Sequence, residues 1–123
     1  MTDDFALTVQ RTDGPLALVA VAGEIDMETA PALRTRALEV IAQGHPRLIL
    51  DLAAVTFCDS SGLNVLINIV RCAKAAGGSL ALAAVPDRLA RMLDFTGVST
   101  LMLSYPGIDE AVSAHHTTAP EPG

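Results

Sequence analysis

Residues 48–78 read LILDLAAVTFCDSSGLNVLINIVRCAKAAGG, and the architecture follows from how this run divides. Leu48-Ile49-Leu50 is apolar at every position, the mark of a short strand covered on both faces, and Asp51 closes it. Ser60 to Ala76 then reads as a helix, stopped by Gly77-Gly78. Beyond it, Leu80 to Val85 is another apolar strand, ended by Pro86. Strand, helix and strand, with both strands buried, make a parallel crossover unit.

The same grammar extends in both directions. Upstream, Phe5 to Arg11 alternates apolar and polar residues, as a half-exposed strand does. Thr12-Asp13-Gly14-Pro15 is a hairpin signal, and Leu16 to Ala22 is a fully apolar strand that breaks at Gly23-Glu24-Ile25-Asp26. A helix is expected from an N-cap at Thr29 to Gln43, with Ala30, Leu33, Ala37 and Ile41 inward; Gly44 ends it and Pro46 bars its continuation. Downstream, Asp87 to Phe95 reads as a third helix with Leu89, Met92 and Leu93 inward, stopped at Thr96-Gly97. Val98 to Leu103 is expected to hold a last short strand and Ile108 to His115 a final helical turn or two. The fold class is therefore α/β: a mixed, largely parallel sheet flanked by helices and starting with a β-hairpin. One domain is expected over residues 1–113 and a flexible tail over 114–123.

Composition narrows the function. Half of the 123 residues are hydrophobic, so a single core needs neither disulfides nor metal. The net charge is −6, and seven Arg and one Lys are scattered, so neither nucleic acid nor an anionic membrane is expected as a partner. Cys58 and Cys72 lie in apolar stretches and read as free thiols suited to a reducing compartment. Met1-Thr2-Asp3-Asp4 is acidic and leads into no long apolar segment, so a cytoplasmic chain is expected, with a protein as its partner.

Phe57-Cys58-Asp59-Ser60-Ser61-Gly62-Leu63 carries the chemistry. Between a strand and a helix, Asp59 or Ser60 is a natural N-cap, and capping alone would account for the pattern. A phosphate on Ser61 would add roughly −1.5 to −2 charges beside Asp59. Free amides and the helix dipole would hold it on the folded domain, while a partner covering the spot would have to desolvate it. On the following helix Asn64, Asn68, Arg71 and Ala75 form one narrow polar stripe. The apolar remainder is wider than a sheet requires, so either a neighbouring helix covers the excess or one edge meets a partner.

A serine hydrolase would need a base near Ser61. The histidines are His45, beside Pro46, and His115-His116, and Asp59-Ser60-Ser61-Gly62 is not a nucleophile elbow. Gly77-Gly78 is followed by Ser79 and a strand, not by the Lys and helix of a phosphate loop. No enzyme activity, metal or cofactor is expected.

Asp59-Ser60-Ser61-Gly62-Leu63, preceded by Leu50-Asp51-Leu52 and followed by Gly77-Gly78, resembles the STAS family, the domains shared by sulphate transporters and anti-sigma factor antagonists. Gly23-Glu24-Ile25-Asp26 is similar to that family's turn before its first helix, and Phe95-Thr96-Gly97 to the close of its third. The resemblance implies partner switching. An unphosphorylated antagonist captures an anti-sigma factor, which is itself a serine kinase; phosphorylation at the position of Ser61 releases it, a serine phosphatase resets it, and sigma-dependent transcription follows. It implies that Asp26, Asp59 and Ser60 belong to a contact surface; taken with the edge of the following helix, the expected partner-binding residues are Asp26, Asp59, Ser60, Gly62, Asn64, Val65 and Asn68. Many relatives carry a small residue where Asn64 stands. The alternative within the family is a stand-alone binding subunit of a lipid-transport or signalling complex.

Overall fold

A computed structural model describes residues 5–117. The elements run β1 (Ala6–Asp13), β2 (Leu16–Ile25), α1 (Ala30–Ala42), β3 (Arg47–Cys58), α2 (Ser60–Ala75), β4 (Ser79–Ala83), α3 (Asp87–Thr96), a 3-10 turn (Val98–Leu101), β5 (Leu103–Tyr105) and α4 (Ile108–Thr117). The five strands lie in sequence order, β1-β2-β3-β4-β5. β1 pairs with β2 antiparallel, and the remaining pairs are parallel. Gly14, at φ 57°, supplies the positive φ of the hairpin turn, which joins Asp13 to its partner Leu16.

Crossovers of one hand in a sheet laid down in order put their helices on one face. Accordingly Leu33 and Val40 of α1, Leu66 and Ile69 of α2, and Leu89 and Leu93 of α3 share a core with Val19, Leu48, Leu50 and Leu82. α4 covers the other face, where Ala111 and Val112 meet Leu16, Leu18, Ile49 and Ala81. No helix among the described residues is long and apolar enough to cross a membrane.

Several expectations change. β3 does not stop at Leu50 but runs on to Cys58, and β2 runs through Gly23 to Ile25. The pairing Ala20↔Asp51, Ala22↔Ala54, Gly23↔Val55, Glu24↔Phe57 gives β3 an extra residue twice. Its helix-facing residues therefore fall at Leu48, Leu50, Leu52, Val55 and Cys58, which no period of two reveals. In α1 Val40, 1% exposed, joins the expected inward residues, and Ile41 packs half-buried against the same core. Met92 is half-buried and packs against the core with Leu89 and Leu93, as expected. Val98 to Leu101 is a 3-10 turn, because Gly97 closes α3 at φ 84° and accepts from the Thr100 amide at 3.1 Å; β5 begins only at Leu103. α4 reaches Thr117, and residues 118–123, the rest of the expected tail, lie outside the described residues.

Candidate functional site

β2 and β3 end side by side. Ile25 pairs with Cys58, and the Asp59 amide donates to the Ile25 carbonyl at 3.1 Å. The β2–α1 and β3–α2 turns are thereby held together at the carboxyl edge of parallel strands, where α/β sheets present their sites. Asp26 and Asp59 start these two turns.

Asp59 is the N-cap of α2. Its Oδ1 accepts from the Ser61 amide at 2.8 Å and from the Gly62 amide at 3.3 Å. The amides expected to cradle a phosphate are thus already taken by the carboxylate. Ser60 is exposed and Ser61 half-buried in the first turn of the helix. Among the described residues the Ser61 hydroxyl makes no hydrogen bond, so its oxygen is uncommitted. His45 stands at the opposite edge of the sheet, its Nδ1 2.6 Å from the Gly14 carbonyl oxygen, and supplies no base to Ser61.

Asp26 organises its own turn. Oδ1 accepts from the Glu28 amide at 2.9 Å and the Thr29 amide at 3.1 Å. These two backbone bonds, Thr29 first, hold the Asp26 carboxyl below its ordinary pKa. Thr29 precedes α1, but its hydroxyl does not cap the helix as expected. It accepts from the Asp26 amide at 2.9 Å and donates to the Glu24 carbonyl at 2.7 Å, tying the end of β2 to the turn.

Asn64, Asn68, Arg71 and Ala75 are all exposed on α2, and Asn68 Nδ2 donates to the Asn64 carbonyl at 3.1 Å. The wide apolar arc of this helix is covered by α1, by β4 and β3 of the sheet, and by the 3-10 turn. Two of the expected contact residues therefore face inward. Val65 is 7% exposed and packs in the core. Gly62 is buried against β2 and β3, where a Cβ would meet the Cys58 sulfur and, at 2.8 Å, the Ile25 Cγ2. Asp26, Asp59, Ser60 and Ser61 lie at the carboxyl edge of β2 and β3, with Asn64 and Asn68 exposed along α2.

Two residues to which the sequence reading gave no role also border this edge. Met27, 75% exposed, lies in the turn next to Asp26, and Phe57, 48% exposed, is two residues before Asp59. Met27 had a signal, an apolar residue between two acids in a turn; Phe57 became a strand residue only through the β3 bulges.

Residues 6–111 match the STAS domain family. An anti-sigma-B factor antagonist of Bacillus subtilis (strain 168) is 38% identical over 84 residues, 68% of this chain and 76% of that one. The crystal structure of an anti-sigma factor antagonist from Mycobacterium paratuberculosis superposes with a TM-score of 0.82 at 34% identity, covering 92% of this chain and 95% of that one. SpoIIAA in its unphosphorylated form shares the fold, with a TM-score of 0.79 at 19% identity over 91% of this chain and 97% of its own. With the family pattern spanning nearly the whole described domain, the chain belongs to the STAS domain family.

Proposed function

We propose that this protein is a cytoplasmic anti-sigma factor antagonist that binds an anti-sigma factor kinase while unphosphorylated and lets go when that kinase phosphorylates Ser61. A serine phosphatase restores it, and the cycle sets how much sigma factor is free for transcription. The observation that carries this reading is the Ser61 hydroxyl: uncommitted, half-buried and beside the Asp59 carboxylate on the first turn of α2. The names of the similar proteins support the same role.

The geometry suits an on/off device. Because Asp59 already holds the amides of Ser61 and Gly62, a phosphate on Ser61 stands against a carboxylate without displacing it, and the fold survives. A partner covering Asp26, Asp59 and Ser60 must desolvate that added charge. A penalty of about 3–4 kcal/mol lowers affinity by about several hundred-fold.

Phosphosite mapping by mass spectrometry tests this. With Mg-ATP and an anti-sigma kinase from the same genome, near-stoichiometric phosphate is expected on Ser61 and none on Ser61→Ala. Ser61→Ala stays bound in the presence of ATP, and Ser61→Asp binds weakly, one carboxylate being less charged than a phosphate. Equal affinity of wild type, Ser61→Ala and phosphorylated protein would sink the switch. Absence of phosphate with every such kinase would move the reading to a constitutive binding subunit of a lipid-transport or signalling complex.

A further inference from the structure

Past Asp51, β3 has β2 on one side and, among the described residues, no strand on the other. β4 accompanies it only from Arg47↔Ser79 to Asp51↔Ala83. The chain leaves the sheet at Ala84, with φ 54°, and returns as α3. Beside that uncovered stretch lies a groove of about 100 Å³. Residues Val55 to Cys58 form one wall and Pro86, Leu89 and Met92 the other, while the exposed Arg88 stands on the rim.

Three properties define what fits. A strand edge without a partner presents amides and carbonyls sideways, the template for an added strand. The walls are apolar, and the volume is below the roughly 150 Å³ of a cavity that takes benzene, so it suits a single aliphatic side chain. The rim carries two arginines: Arg91 follows Arg88 by about one helical turn, on a surface shared with Met92, Asp94 and the 93% exposed Phe95. Neither arginine forms an ion pair among the described residues, with Asp87 and Asp94 of the same helix or with any other acid. Among the described residues Arg88 is the one charged side chain lining the groove, so its mouth favours a carboxylate.

We propose that the groove docks an extended segment of a protein partner, an aliphatic residue flanked by Asp or Glu, laid along β3 as a further strand. The aliphatic side chain sits between Cys58, Leu89 and Met92, and the flanking carboxylates pair with Arg88 and Arg91. A helix fits less well, because its backbone groups are already satisfied and cannot use the β3 edge. The groove adjoins Ser61 through Cys58 but does not include it, so the inference stands apart from the phosphorylation reading.

Panning a random heptapeptide display library on the intact chain tests it, followed by titration of selected peptides into ¹⁵N-labelled protein. Peptides with an aliphatic residue between acids are expected. They shift the amides of residues 55–58 and 88–92, bind Arg88→Glu and Arg91→Glu at least about tenfold more weakly, and bind Ser61→Ala unchanged. Circular dichroism checks that both exposed-site variants fold. Selected peptides without carboxylates, shifts confined to other faces, or undiminished binding to both variants overturn the proposal. So does failure to enrich any peptide, or sedimentation showing a dimer that Arg88→Glu dissociates, which would assign the groove to a second copy.

Discussion

At Gly62 a methyl group would run into the Cys58 sulfur and the Ile25 side chain, so the first turn of α2 sits as close to β2 and β3 as a backbone can. Gly62→Ala is expected to cost about 1–3 kcal/mol in urea unfolding. Cys58→Ala made alongside it should recover part of that loss, giving a double-mutant cycle less than additive. The cysteine carries a second prediction. A helix N-terminus ordinarily lowers a thiol pKa, but burial, reinforced by the Asp59 charge, pushes Cys58 up from 9.0 to about 11. In the folded protein at about pH 8, iodoacetamide should modify the half-buried Cys72 first and reach Cys58 only on unfolding, as peptide mapping would show. Asp59, Ser60 and Ser61 were legible from residue type alone, because capping and phosphoacceptor chemistry are local. The demand at Gly62 was not, because the atoms that impose it come from Ile25, on a different strand.

Elements were legible where one periodicity ran undisturbed. α2 and α3 keep helical spacing between clear stops, and the structure moves their expected ends by a residue. β3 was half-hidden because two bulges turn its inward spacing from two to three after Leu52, so Val55 and Cys58 do not look like strand positions. Yet those bulges carry the chain on to deliver Asp59 beside Ile25. The β4–α3 connection holds a different tension. Ala84 adopts φ 54° while its amide donates to the Tyr105 carbonyl at 3.0 Å, a left-handed conformation that costs an L-residue about 1–2 kcal/mol. Ala84→Gly should therefore raise the thermal midpoint, by a stability gain of about 1 kcal/mol once the added freedom of glycine in the unfolded chain is discounted. A lower midpoint would mean that the Ala84 methyl packs more than its backbone strains.

For the whole molecule, the hairpin start and parallel order followed from strands alternating with helices, and the resemblance in several separated motifs matched the family that the chain proves to belong to. The groove beside β3 was invisible because it is made by what β4 fails to cover. Acid should act on the molecule through Asp26. Its folded pKa lies below the ordinary 3.8, so the stability it contributes is present above that value and is lost as pH falls through the folded one. Urea midpoints measured from about pH 6 down to about pH 3 should fall more steeply for wild type than for Asp26→Asn at the acid end, with the variant less stable at neutrality. The sheet also separates two kinds of turn. The hairpin at Gly14 and the loops at Gly44 and Gly77 gather at the edge opposite Ser61, where the Arg47 amide meets the Pro15 carbonyl and the Ser79 amide the Pro46 carbonyl. A Cβ at Gly44 or Gly77 would touch nothing within 4 Å. A fluorescent protein spliced into that far edge, or new termini opened there by circular permutation, would leave the Asp26–Ser61 edge intact and turn the domain into a genetically encoded reporter of its own occupancy.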